Sequence, residues 1–330
     1  MRRWFGVYVA AWACCAGGAA PAKDQTVLFE VPGAVLTQPF AINESGAITG
    51  FYQTGSSTAC ARWCPFLRQP DGSITAFPIA GGEFAAGLGI NSSGAIVGSS
   101  SLGAFLRTPD GTMTTLSIPG SFAAARGITD DGTIAGDYQA STSNRQGFVR
   151  APDGTVTTFA SSDAPTLQVV GIDRANRVSG VLIEETGLSH GFVRRADGRI
   201  TTFDAPGAGS GAAQGTLPLA MDGEGTIVGF WRDSENGQHS FSRAPEGTIV
   251  TFDPPGYSTS SAYAVAQSGR NPAIAGQIGT TVYLRSRSGS VKILGHKFIE
   301  VNAMNASGAV TGVWMKNEKA HQVGYLRMPD

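Results

Sequence analysis

Apolar and polar residues alternate in short runs from residue 26 onward, and no stretch of useful length carries a helical period. The clearest run is "GFVRAPDGTVTTF" at 147–159, an aromatic-x-Arg strand, an Asp-Gly turn and a β-branched strand. Asp-Gly between two such runs is a strong hairpin signal, because glycine accepts the positive φ the turn demands. Nearly the same phrase stands at 65–77, 104–116, 191–203 and 240–252.

A second phrase follows the first after a variable stretch. It reads "AINESGAITG" at 41–50, "GINSSGAIVG" at 89–98, "GITDDGTIAG" at 127–136 and "GIDRANRVSG" at 171–180. It continues as "AMDGEGTIVG" at 220–229, a degraded "AVAQSGRNPAIAG" at 264–276 and "AMNASGAVTG" at 303–312. The seven terminal glycines are Gly50, Gly98, Gly136, Gly180, Gly229, Gly276 and Gly312, about 44 residues apart on average. Repeats of that length with four strands each mark β-propeller blades.

Each repeat reads as strands A to D. Strand A ends at the turn Asn, Asn-x-x-Gly turns into strand B with its I-x-G, the aromatic-x-Arg piece is strand C, and T-x-T-T-F is strand D. Small residues in A and B suit the crowded axis of a propeller, and the larger Phe and Tyr of C and D suit its wider rim. "TVLFEVPGA" at 26–34 matches the D-strand piece "TTFDAPGA" at 201–208, while "GYLRMPD" at 324–330 is a C strand with no D strand after it. The expectation is therefore an all-β, seven-bladed β-propeller of four antiparallel strands per blade, closed by the N-terminal strand completing the last blade. It occupies residues 23–330.

Residues 1–22 stand apart. Arg2 and Arg3 precede an apolar run from Trp4 to Ala16 and an Ala20-Pro21-Ala22 ending, the pattern of a secretory signal peptide. The run is shorter than the roughly 20 residues a membrane span needs, so no span is expected. Export to the periplasm or the medium is the reading, ahead of lipid anchoring through Cys14 or Cys15. In an oxidising compartment the other cysteines, Cys60 and Cys64, are expected to form a local disulfide. Their C-x3-C spacing lacks the second pair a zinc site requires, and neither a metal nor a cofactor is expected.

"GFVRAPDGTVTTF" joined to "GINSSGAIVG" resembles the extracellular HAF-repeat family, over about residues 26–330. The resemblance implies a secreted bacterial propeller and carries no catalytic residues across.

Charged residues make up 15% of the chain and the net charge is −1, which leaves no basic footprint for nucleic acid or an anionic membrane. The 45 glycines, close to twice the usual share, fit a chain of turns. Length variation falls in the B–C and D–A connections, which lie on one face of the disc, so the ligand face is expected there. Trp63, Trp231 and Trp314 fall in B–C segments, as do His190, His239 and His321, while His296 falls in a D–A segment. The richest segments are "FWRDSENGQHS" at 230–240 and "VWMKNEKAH" at 313–321, separated by one blade with a short B–C loop. Trp231, Arg232, His239, Trp314, Lys316 and His321 are accordingly the candidate ligand-binding residues, flanking a notch. The strand-C arginines, Arg68 to Arg327, are expected to pair with turn carboxylates such as Asp71, Asp153 and Glu246. No catalytic motif is present. The functional expectation is a monomeric, non-enzymatic binding or scaffold module for a glycan, peptide or envelope partner. The alternative is a lyase or hydrolase using His and acidic residues of the same face.

Overall fold

The computed structural model describes residues 26–55, 62–162, 164–266, 272–316 and 321–329. Its regular structure is entirely β, in 28 strands. β1 is Thr26–Phe29, and β2–β5 cover Ala34–Ile42, Ile48–Thr54, Cys64–Arg68 and Ile74–Ala76. β6–β9 cover Ala85–Ile90, Ile96–Ser100, Gly103–Arg107 and Met113–Thr115. β10–β13 cover Ser121–Ile128, Ile134–Ser141, Asn144–Arg150 and Val156–Phe159, and β14–β17 cover Thr166–Ile172, Val178–Ile183, Ser189–Arg194 and Ile200–Phe203. β18–β21 cover Gly215–Met221, Ile227–Arg232, Gln238–Arg243 and Ile249–Phe252. β22–β25 cover Ser261–Ala266, Ala273–Ile278, Thr281–Arg285 and Val291–Ile293, and β26–β28 cover Phe298–Met304, Val310–Met315 and Gln322–Arg327.

From β2 on, each run of four strands pairs consecutively and antiparallel, as in β2–β3–β4–β5. The last run lacks a fourth strand of its own: β26, β27 and β28 pair in order, and β1 adds to β28 with Thr26 opposite Arg327 and Phe29 opposite Gly324. Single parallel bridges, such as Leu36–Gln322 and Arg145–Thr166, join the start of one strand C to the start of the next strand A. Seven meanders can thus be traced among the described residues.

Every strand A carries a β-bulge opposite the strand-B glycine. Pro39 faces Gly50 but Ala41 faces Thr49, leaving Phe40 as the extra residue, and the same shift occurs at Gly136, Gly180 and Gly312. The bulge drives a strand-A carbonyl into the place of a side chain. A Cβ on Gly50, Gly98, Gly136, Gly180, Gly229, Gly276 or Gly312 would sit 1.9–2.2 Å from that oxygen. Axial crowding alone therefore does not explain these glycines; the bulge demands them.

The meanders are cemented by a repeated aromatic contact. Phe159 of β13 lies across Gly147 of its own meander, where a Cβ would be 2.2 Å from the ring. It meets Phe192 of the next meander edge-on at 6.3 Å, and the Arg194 guanidinium lies 5.0 Å over it. Phe29 with Phe66 and Arg68, Phe77 with Phe105 and Arg107, and Phe203 with Phe241 and Arg243 repeat the arrangement. Arg285 lies likewise over Phe252, while Leu116 and Leu294 hold the ring position ahead of Arg150 and Arg327. The expected pairing with turn carboxylates holds as an attraction of charge, Asp71 on Arg68, Asp153 on Arg150, Asp197 on Arg194 and Glu246 on Arg243, while the hydrogen bonds go elsewhere. Asp71 accepts Ser73 N–H at 2.8 Å, and the Arg68 Nη1 donates to the Gln69 carbonyl at 3.1 Å. A stacked guanidinium that keeps a carbonyl partner stabilises each junction by about 0.5–2 kcal/mol.

The bulge makes a distinction testable by urea unfolding. Gly180→Ala, whose Cβ would lie 1.9 Å from the Gln168 carbonyl, should cost about 3 kcal/mol or more. Gly94→Ala meets nothing within 4 Å and should cost only the strain of its φ of +85°, about 1–2 kcal/mol.

Candidate functional site

Antiparallel order puts the A–B and C–D turns on one face and the B–C and D–A connections on the other. The two faces are built differently. On the turn face, the Asn of the repeat closes its own turn and reaches across to its neighbour. Asn43 Oδ1 accepts Ala47 N–H at 2.9 Å while its Nδ2 donates to the Asn91 carbonyl at 2.9 Å. Asn91 bonds Thr129 O, and Asn305 bonds Asn43 O, in the same way. All three are buried. Where Asp173 replaces Asn, charge takes over: Arg177 Nε bonds Asp173 at 2.6 Å and its Nη2 donates to the Glu224 carbonyl at 2.9 Å.

On the loop face, three of the histidines sit at the start of strand C beside the acid that follows the strand-D aromatic. His190 Nδ1 is 2.8 Å from Asp204 Oδ2 and its Nε2 is 3.2 Å from Glu184 Oε1. His239 Nδ1 is 2.7 Å from Asp253 Oδ2 and its Nε2 is 3.4 Å from Asp233 Oδ2. His321 Nε2 is 3.2 Å from Glu30 Oε2. Each set belongs to one meander. Burial pulls the His190 and His239 imidazoles down, but the hydrogen bonds and charge of their two carboxylates outweigh it, and both stay protonated above the ordinary range. His296 is exposed.

The six candidate ligand-binding residues form two separate clusters. Trp231 stacks on His239 at 4.5 Å and packs on Gly207 of the preceding meander, so it faces away from the expected notch. Arg232 Nη1 donates to the Ala213 carbonyl at 3.2 Å, and its guanidinium lies 5.6 Å over Phe230. In the last meander Trp314 meets Phe298 edge-on at 4.5 Å, and Lys316 Nζ bonds Glu30 at 2.8 Å beside His321. Among the described residues no contact joins the two clusters. Cys64 is buried at the head of β4, and Cys60, its expected partner, lies outside the described residues. So does the signal segment 1–22.

Two rings outside the six candidate ligand-binding residues stand in solvent on the loop face. Phe122 is 69% exposed with φ of +48°, a backbone state costly for a bulky residue, and Trp63 is 43% exposed. Trp63 stands in a file of rings, between Phe51, which leads on to Phe40, at 5.1 Å and Phe84 of the next meander at 6.2 Å. No sequence signal marks Phe122, because nothing local forbids a negative φ there.

A cavity of about 330 Å³ opens on the turn face, lined by the ends of all seven A strands. Its wall holds the bulge residues Phe40, Leu88, Arg126, Val170, Leu219 and Asn302, and its rim holds turn residues including Glu44, Asp130 and Glu224. Among the described residues no cluster of three or more His, Cys, Asp or Glu is arranged to hold a metal ion. No described helix is long and apolar enough to cross a membrane.

No family model and no curated protein matches the chain. Solved structures do. Virginiamycin B lyase from Staphylococcus aureus is 14% identical, with a TM-score of 0.59 over 93% of this chain and 99% of that one. The β-propeller domain of the Trilobed protease from Pyrococcus furiosus is 7% identical, with a TM-score of 0.59 over 92% and 95%. A puromycin hydrolase is 13% identical, with a TM-score of 0.53 over 87% of this chain and 52% of that one. At these identities the likeness shows a β-propeller fold and nothing about activity.

The raised histidines give a signed pH effect. Their ordinary value is 6.5, so the stabilisation they contribute is fully present below that pH and is lost as the pH rises through the higher folded value. The difference in melting temperature between wild type and a His190→Asn, His239→Asn double variant should shrink from about pH 5.5 to about pH 8.5, when followed by circular dichroism.

Proposed function

We propose that this chain is an exported binding or scaffold protein, a single β-propeller of seven blades over residues 23–330 that resembles HAF-repeat proteins. Residues 1–22 direct it to the periplasm or the medium, and Cys60 bonds Cys64 in that compartment. The addition of β1 to β28 supports a ring closed by the N-terminal strand, because it leaves strand C of the last blade no open edge. Its partner, a glycan, peptide or envelope component, sits on the B–C/D–A face.

One observation carries the choice of face: Phe122 is held in solvent at a left-handed φ, and the same face also carries the half-exposed Trp63. Rings presented at a conformational cost are contact surface for a sugar ring or an extended peptide. The titratable groups of the face favour binding over chemistry, since His190, His239 and His321 are each engaged by acids of their own blade. Trp231, Arg232, His239, Trp314, Lys316 and His321 extend the face as polar and charged contacts.

A second reading, a lyase or hydrolase, draws on His190 and His239, each set between two carboxylates, and on the lyase and hydrolase that share the fold. A virginiamycin B lyase of this fold has been solved with quinupristin, and chromatography of quinupristin incubated with the protein decides between the two readings. Conversion that disappears in His190→Ala or His239→Ala would replace the binding reading.

The direct test is a glycan and peptide array probed with the mature secreted protein, whose unreduced mass should show no free thiol. A specific signal is expected. Phe122→Ala with Trp63→Ala should abolish it, Arg232→Ala with Lys316→Ala should weaken it, and Glu44→Ala or Asp130→Ala on the turn face should leave it unchanged. Loss of signal only in the turn-face variants would overturn the assignment of the face.

A further inference from the structure

Asp137 is fully buried in β11, between two arginines. Arg145 bonds its Oδ1 through Nε at 2.7 Å and also through Nη2. Oδ2 takes the Val169 N–H at 3.2 Å and Arg126 Nε at 3.0 Å. Two cations share one carboxylate, so the network holds a surplus positive charge. Arg145 engages the carboxylate with two of its nitrogens, and the surplus falls on Arg126, which engages it with one.

Arg126 is the bulge residue of β10, and the bulge turns it to the cavity wall. Its side chain is 35% exposed, and among the described residues neither Nη atom has a hydrogen-bond partner. The other bulge residues on that wall are Phe40, Leu88, Val170 and Leu219, with Asn302 the one further polar group. Asn302 is engaged, its Nδ2 donating to the Pro39 carbonyl at 2.9 Å. An apolar belt with one oriented, uncompensated guanidinium is the make-up of a small-molecule site. Arg126 is held by a buried carboxylate, so little side-chain freedom remains to be lost when a ligand binds.

The rim narrows the ligand further. Glu44 accepts the Ala306 N–H at 3.1 Å, Asp130 accepts the Ser92 N–H at 2.9 Å, and Glu224 pairs with Arg174. Arg174 offsets Glu224, but Glu44 and Asp130 take only backbone N–H groups in these bonds and keep the mouth negative, which disfavours a compact, multiply charged anion such as phosphate. A single carboxylate on an apolar body meets the interior cation and the belt together.

We infer that the turn-face mouth of the central cavity binds a small amphipathic carboxylate, anchored by the Nη groups of Arg126 with its apolar body against Phe40, Leu88, Val170 and Leu219. This site lies on the face opposite to the proposed glycan or peptide surface and does not rest on it.

Isothermal titration of the full mature protein with 4-phenylbutyrate, 4-phenylbutyramide and inorganic phosphate tests it. Wild type should bind the carboxylate at least roughly tenfold more tightly than the amide, and phosphate not measurably. Arg126→Gln leaves Asp137 its Arg145 partner, so it should keep its circular dichroism spectrum and bind carboxylate and amide alike. Leu219→Trp fills the cavity without touching the charge network and should abolish binding of both. The inference is overturned if wild type fails to prefer the carboxylate, if Arg126→Gln retains the preference, or if Leu219→Trp binds as wild type does. Should Arg126→Gln fail to fold, the wild-type preference and Leu219→Trp decide the matter.

Discussion

The structure depends on one close approach repeated along the chain: a strand-A carbonyl pressed against a strand-B glycine. A bulge in the innermost strand pushes that oxygen into the space of a side chain, and only glycine leaves the space empty. The bulge also turns one residue to the central wall in six of the seven inner strands. Architecture and chemistry therefore share a cause. Whatever stands at the bulge is presented to the axis, and in β10 that residue is an arginine.

Junctions between meanders use a second device. The strand-D phenylalanine needs a glycine beneath it in its own strand C, a ring beside it and a guanidinium above it in the next meander. On the turn face the same junctions are tied by Asn43, Asn91 and Asn305, and by Arg174, Arg177 and Glu224 where acids replace the amide. Each contact is small, and repetition makes them decisive. The loop face is tied between meanders by backbone bridges such as Leu36–Gln322 and Arg145–Thr166, while its histidine–carboxylate pairs stay inside single meanders.

The repeat, its four strands and its two turns were legible because period and turn chemistry are local. The N-terminal strand was legible because "TVLFEVPGA" copies a D-strand phrase, and Thr26–Phe29 does pair with β28. What was not legible joins residues that no single local phrase connects, in different repeats or on different strands of one repeat. Arg194 looked like a partner for Asp197, yet its ring partner, Phe159, stands in the preceding repeat. The acids that hold His190 and His239, Asp204 and Asp253, were hidden in the tail of a phrase read only as strand D. Trp231 and Trp314 were placed on the right segments, but their rings are taken up by His239, Gly207 and Phe298. Asp137 gave no signal at all, since its two arginines lie in the strands on either side of its own.

The central claim is that seven bulged inner strands, β26 and β2 included, form one cooperative ring. Native-state hydrogen exchange followed by mass spectrometry tests it most directly. Amides of all the A and B strands, and of β28 beneath β1, should open together with a single free energy close to that of global unfolding. If instead the first and last meanders exchanged as independent, weakly protected units while the middle ones stayed closed, the ring would be open and the account wrong.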